Sequence, residues 1–183
     1  MTGNSFRRRG GSDEFRRKGR LSPCTDPEPA LESRRQKDPR KKAMDLLLYR
    51  DRTEQELRER LQEAGFSVEE TQDALDYVSS FGYLNDRRYA ENYVYSKRDR
   101  ESRRQIRREL EEKGVADRYV EEALAQLPED ETDQIYALVC RRAGNPRRLE
   151  EKELRRLFGY LSRRGFASGE IWKAVQKFQE DMG

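Results

Sequence analysis

The sequence predicts an all-α protein: three three-helix units in tandem, about nine short helices, behind a disordered basic N-terminal tail. Three observations predict this. From about Pro39 onward no stretch alternates apolar and polar residues long enough for a strand. One hydrophobic pattern recurs around Gly65, Gly114 and Gly165, which lie 49 and 51 residues apart. Composition also shifts near residue 38, where a proline- and arginine-rich segment gives way to periodic helix.

The tail comes first. Residues 1–42 carry a net charge of +7 and the remaining 141 a net of −4, within a total of +3. The tail runs Arg7-Arg8-Arg9, Arg16-Arg17-Lys18, then Pro23, Pro27 and Pro29, with almost no apolar periodicity. Residues 1–38 are therefore expected to be disordered. They serve either as a solubilising arm or as an electrostatic arm for nucleic acid or an acidic protein surface.

Three units follow, expected at 39–84, 85–128 and 129–183. Relative to Gly65, Gly114 and Gly165, apolar residues stand eight before (Leu57, Ile106, Leu157) and four before (Leu61, Leu110, Leu161). They recur one after (Phe66, Val115, Phe166) and ten after (Leu75, Leu124, Val175). Thr71, Val120 and Ile171 stand six after, and Ala74, Ala123 and Ala174 nine after. Positions −8 and −4 share one helix face. The glycine ends that helix in the left-handed conformation, and residue −4 meets residue +1 in a Schellman ending. A second helix starts almost at once, over about 67–80 and 116–126 in the first two units. Thr53 with Glu56, Ser67 with Glu70, and Ser102 with Gln105 fit capping boxes. Gly82 ends a further helix and Asn85 caps the next.

The leading helix of each unit is expected at about 40–49, 85–98 and 130–143. Their stripes are Ala43, Leu46 and Leu47; Tyr89, Tyr93 and Val94; and Ile135, Leu138 and Val139. Helices this short are marginal alone, so each unit buries its stripes among its own three. The leucines, Phe66, Phe166 and Trp172 are expected in the cores.

Composition excludes much chemistry. Only 33% of residues are hydrophobic and 41% are charged, which favours several thin cores over one thick one. There is no histidine, so Ser-His and Cys-His nucleophiles and His-containing metal sites are ruled out. Cys24 and Cys140 are isolated, with neither a disulfide framework nor a four-thiolate zinc site. No phosphate-cradling glycine loop, secretory signal or run of roughly 18 apolar residues occurs. The expectation is a cytoplasmic protein with no catalytic, cofactor or metal site.

The residues that remain are arginines. Arg103, Arg104, Arg107 and Arg108 occupy neighbouring positions of one helix; Arg141 and Arg142 precede a turn; Arg155 and Arg156 sit in the last unit. They are the candidate partner-binding residues, for a protein filament or DNA. The competing reading is a solvated face, since Glu109, Glu111, Glu112, Glu150, Glu151 and Glu153 lie alongside.

Several stretches together resemble the RecX family of recombination regulators. They are Arg50, Thr53, Glu56, Leu57, Leu61 and Gly65-Phe66; Phe81-Gly82-Tyr83-Leu84-Asn85-Asp86 with Tyr89-Ala90; and Arg103-Arg104-Gln105-Ile106-Arg107-Arg108-Glu109-Leu110 with Lys113-Gly114-Val115. Leu161, Arg164-Gly165-Phe166 and Ile171 complete the set, which spans about 43–178. The resemblance implies an elongated, curved, non-catalytic monomer. It would bind the RecA filament on single-stranded DNA and modulate its recombinase, ATPase and co-protease activities in DNA repair, recombination and the SOS response. A helix-turn-helix protein acting directly on DNA is the alternative. Against it, the inter-helix turn is only two or three residues long and the second helices are rich in acids.

Overall fold

A computed structural model of the chain describes residues 38–181. The expectation of a disordered tail falls on residues outside that range, save Asp38. Nine helices make up the described chain, and no strand occurs among these residues. The first unit holds α1 (Pro39–Tyr49), α2 (Glu54–Glu63) and α3 (Val68–Ser80). The second holds α4 (Asp86–Lys97), α5 (Arg103–Glu112) and α6 (Asp117–Leu124). The third holds α7 (Thr132–Ala143), α8 (Glu151–Ser162) and α9 (Ser168–Glu180).

Each unit is packed the same way: its first and third helices make the broadest contact, and the middle helix lies against both. The buried apolar residues fall into three separate clusters, one per unit. Leu57 and Leu61 with Leu75 and Val78 form the first, Ile106 and Leu110 with Val120 and Leu124 the second, and Leu157 and Leu161 with Phe166, Ile171 and Phe178 the third. Each such side chain contributes about 1.5–3 kcal/mol when fully buried. The third cluster is the largest.

The glycine turns follow the repeat. Gly65, Gly114 and Gly165 have φ of 90°, 74° and 87°. Phe66, Val115 and Phe166 donate their amides to the carbonyls of Leu61, Leu110 and Leu161 at 3.3, 3.1 and 3.3 Å. The glycine amides reach Gln62, Glu111 and Ser162 at 2.9, 2.9 and 3.0 Å. This pair of bonds is the Schellman ending, formed three times.

The expected core set and the expected capping boxes both need correction. Trp172 is not core: it is 47% exposed, resting near Phe158 with ring centroids 6.0 Å apart. It stands next to buried Ile171, one helical step off the apolar face. Gln72 and Glu121 hold the same register in the other units, and both are exposed. Phe66 is only partly buried, and Leu48, one of the leucines expected in the cores, is 79% exposed. Of the three capping boxes, only Ser67 with Glu70 closes in both directions. Thr53 and Ser102 do accept from the amides of Glu56 and Gln105, at 3.1 Å each. The returning halves are absent because Glu56 turns to Lys113 and Gln105 to Glu109. An unforeseen box forms at Glu150 and Glu153, where α8 begins.

Candidate functional site at the junctions between units

Polar residues join successive units, and both junctions use the same repeat positions. At the first, the hydroxyl of Thr53, fully buried at the N-cap of α2, donates to the carbonyl of Lys113 at 2.6 Å. Lys113 Nζ donates to Glu56 Oε1 at 2.8 Å. Its hydrogen bond to Glu56 raises the Lys113 ammonium above its ordinary value. The amide of Glu54 donates to Asp86 Oδ1 at 2.9 Å, and burial pushes the Asp86 carboxyl up.

At the second junction the amide of Ser102, fully buried at the N-cap of α5, donates to the carbonyl of Arg164 at 2.9 Å. Gln134 Nε2 donates to the carbonyl of Glu101 at 3.0 Å, and the amide of Arg103 to Glu131 Oε1 at 2.6 Å. Burial raises the Glu131 carboxyl. Glycine is required twice over at these turns, by φ and by space. A Cβ on Gly165 would lie 2.4 Å from Ser102 Oγ and 2.8 Å from Gln105 Cβ. One on Gly114 would lie 2.6 Å from Gln55 Cβ.

The arginines predicted as one binding face divide. Arg103 turns into its own unit, donating Nη1 to the carbonyls of Leu127 and Pro128 at 2.6 and 3.3 Å. Arg107 pairs with Glu121, whose hydrogen bond raises the guanidinium further. Arg104 and Arg108 face the other way. They line an open groove of about 390 Å³ at the second junction, with Gln105, Ser162, Arg163 and Gly165. The Arg104 side chain has no ion pair or hydrogen bond among the described residues; Arg108 donates to Gln105 Oε1 at 2.8 Å and lies 3.6 Å from Glu112.

The other candidates gather in the third unit. Arg142 lies over the ring of Tyr160 at 4.9 Å, and Arg164 covers the same ring at 3.8 Å. Arg142 and Arg156 share a cleft of about 310 Å³ with Arg147 and Glu153. Arg147 binds Glu153 through both nitrogens, at 2.6 and 2.9 Å, and holds its carboxyl down at about 2. Arg155 pairs with Glu151, and Arg141 is exposed. Sequence reasoning saw Arg163 in a basic cluster with Arg155, Arg156 and Arg164 but did not carry it into the binding residues. Its signal was register: it stands two before Gly165, and it shares the groove with Arg104, Gln105 and Arg108 of the first two turns of α5.

No group of three or more Cys, Asp or Glu residues suited to a metal ion occurs among the described residues. No described helix is long and apolar enough to cross a membrane.

Comparison with known proteins supplies the family. Residues 40–77, 85–124 and 129–175 match the models described as the first, second and third three-helix domains of RecX. The chain is 38% identical over 141 residues to the regulatory protein RecX of Trichlorobacter lovleyi, covering 74% of this chain and 92% of that one. It is 32% identical over 143 residues to that of Amycolatopsis mediterranei, covering 76% and 82%. Its fold resembles the crystal structure of RecX from Lactobacillus salivarius, with a TM-score of 0.62 and 19% identity over 78% of this chain and 95% of that one. Three domain matches in order, and relatives matched over most of their length, show that the chain belongs to the RecX family of regulatory proteins.

Proposed function

We propose that this chain acts by binding rather than by catalysis, as a cytoplasmic monomer. Its partner is the RecA filament on single-stranded DNA, whose recombinase, ATPase and co-protease activities it modulates. The family supports the partner. The observation that carries the binding reading is the placement of the arginines left exposed to solvent. Arg104, Arg108 and Arg163 line an open, polar groove, and Arg141, Arg142 and Arg156 are exposed on the next unit. Such surfaces suit a large charged partner and not an enclosed small substrate. Arg103 and Arg107 belong less to this surface, because each is half-buried against partners of its own unit.

The reading as a direct helix-turn-helix reader gains nothing from the geometry. The third helices of the first two units present Glu69, Glu70, Asp73 and Asp76, and Asp117, Glu121 and Glu122. These charges repel phosphate. Co-sedimentation with RecA filaments on single-stranded DNA, with bare DNA as control, tests the proposal alongside RecA ATPase rates. Pelleting with the filament beyond that on bare DNA, with an altered ATPase rate, is expected. Pelleting equal on bare DNA, with RecA turnover untouched, overturns it.

A further inference from the structure

The two junctions share a plan, but only the first pairs a cation with a carboxylate across it. There, Glu56 accepts from Lys113 at 2.8 Å and has Arg50 3.8 Å from its other oxygen; Glu59 and Glu112 line the same cleft. Counting from the repeat glycines, the second junction exchanges these residues one by one. Glu56 becomes Gln105, Glu59 becomes Arg108, Glu112 becomes Arg163, and Gln55 becomes Arg104. Lys113 becomes Arg164, and this cation has lost its carboxylate. Its guanidinium lies instead on Tyr160, and its Nε is buried without a hydrogen-bond partner.

Cations therefore stand on both walls of the second groove: Arg104 and Arg108 from α5, Arg163 from the turn after α8. The acids near these cations are committed: Glu131, close enough to interact with the Arg104 charge, accepts the amide of Arg103 at 2.6 Å. Glu109 accepts from Tyr93 and Gln105 at 2.5 and 2.8 Å and faces Lys97 at 3.6 Å, while Glu112 lies at the exposed end beside Arg108. Like charges facing one another weaken the contact between the units that carry them. An anion in the groove would reverse the sign of that contribution.

We infer that the groove between the second and third units is a phosphate site. It takes the sugar-phosphate backbone of a single strand, and the bound phosphates supply the counter-charge that ties the third unit to the second. This rests on the reading of the chain as a filament-binding regulator and names the part of the filament the groove meets. Guanidinium forks bind phosphate oxygens in pairs. The lining of Arg104, Gln105, Arg108, Ser162, Arg163 and Gly165 has no apolar side chain. A peptide would find no pocket for an apolar anchor there, whereas a backbone of successive charges needs none.

The test uses the full chain and a labelled fifteen-residue oligothymidylate without RecA, read by fluorescence anisotropy across a salt series. Amide exchange at Ser102, the donor to Arg164, reports on the junction. The wild type is expected to bind with a steep salt dependence, and the oligonucleotide to slow Ser102 exchange. Arg104→Ala with Arg108→Ala and Arg163→Ala should weaken binding by about tenfold or more. It should make the logarithmic salt slope shallower by about 2, at about 0.7 per phosphate on a single strand. Ser102 exchange should then ignore the oligonucleotide. Lys41→Ala with Lys42→Ala, exposed on α1 and outside the groove lining, should bind like the wild type. If the alanine variant does not fold, Lys at the same three positions keeps the charge. That variant should retain the salt slope and bind more weakly, through loss of the forked contacts. Wild-type affinity in either triple variant overturns the proposal. So does Ser102 exchange unmoved by bound oligonucleotide, or displacement of the strand by polyglutamate of equal charge, which would assign the groove to an acidic protein surface. RecA is absent throughout, so wild-type co-sedimentation with filaments reports separately on the broader reading.

Discussion

The hydroxyl of Thr53 donates to the carbonyl of Lys113, 60 residues away, across 2.6 Å. The same oxygen accepts the amide of Glu56 at 3.1 Å, so one side chain both caps α2 and joins the first unit to the second. Burial makes this dual use costly to lose, because neither the capped amide nor the carbonyl of Lys113 would have water to replace it. Thr53→Ala is expected to destabilise the chain by about 1–3 kcal/mol. Thr53→Ser should restore most of the loss, since it keeps the hydroxyl. Urea unfolding followed by circular dichroism measures both; equal midpoints for the alanine variant and the wild type would remove the bond from the account.

The repeat glycines should differ in sensitivity. A Cβ at Gly65 meets nothing within 4 Å among the described residues, so Gly65→Ala incurs only left-handed strain of about 1–2 kcal/mol. Gly165→Ala adds a collision with Ser102 Oγ and Gln105 Cβ. Overpacking of this kind adds about 1–3 kcal/mol. Gly114→Ala should behave like Gly165→Ala, because Gln55 Cβ stands in the way. Thermal midpoints should rank Gly65→Ala highest of the three variants; the reverse order would show that the units do not abut at these turns.

Arg103 and Arg104 are adjacent in sequence and opposite in use. Arg103→Ala removes donors to the carbonyls of Leu127 and Pro128, which lead out of the second unit. A loss of about 1–2 kcal/mol is expected from charged hydrogen bonds in a partly buried setting. Arg104→Ala should stay within about 0.5 kcal/mol of the wild type, as an exposed position with no bonded partner among the described residues. Paired denaturation curves decide the matter, and equal stabilities would contradict it.

The start of α8 should be acid-sensitive. Arg147 holds the Glu153 carboxyl down at about 2 from an ordinary 4.5, and the same carboxylate accepts the amide of Glu150 at 3.0 Å. A carboxylate depressed in the folded state stabilises that state fully above its unfolded value. The contribution is therefore present above pH 4.5 and fades as pH falls toward 2. Glu153→Gln should lower the unfolding midpoint at pH 6 and converge on the wild type near pH 2. A constant difference between the two at every pH would show that Glu153 acts only as a neutral cap.

Helix and turn positions were legible in the sequence because they depend on local physics. The spacing of Leu57, Leu61, Gly65 and Phe66 dictates one buried face and one left-handed ending, whatever surrounds them. The same pattern, read three times, determined three small cores and so the family's architecture. Trp172 was misplaced because bulk alone suggested burial, while its register already matched the exposed Gln72 and Glu121. The partners of the arginines were not legible. Arg103, Arg104, Arg107 and Arg108 share a helix and a charge, yet the carbonyls of Leu127 and Pro128 and the carboxylate of Glu121 claim two of them. Charged side chains are long, and their partners come from elements distant in sequence, so only the tertiary structure decides which guanidinium is consumed and which faces solvent. It alone also brought the N-caps Thr53 and Ser102 against the turns at Gly114 and Gly165. There, one repeated contact carries opposite charges at the first junction and like charges at the second.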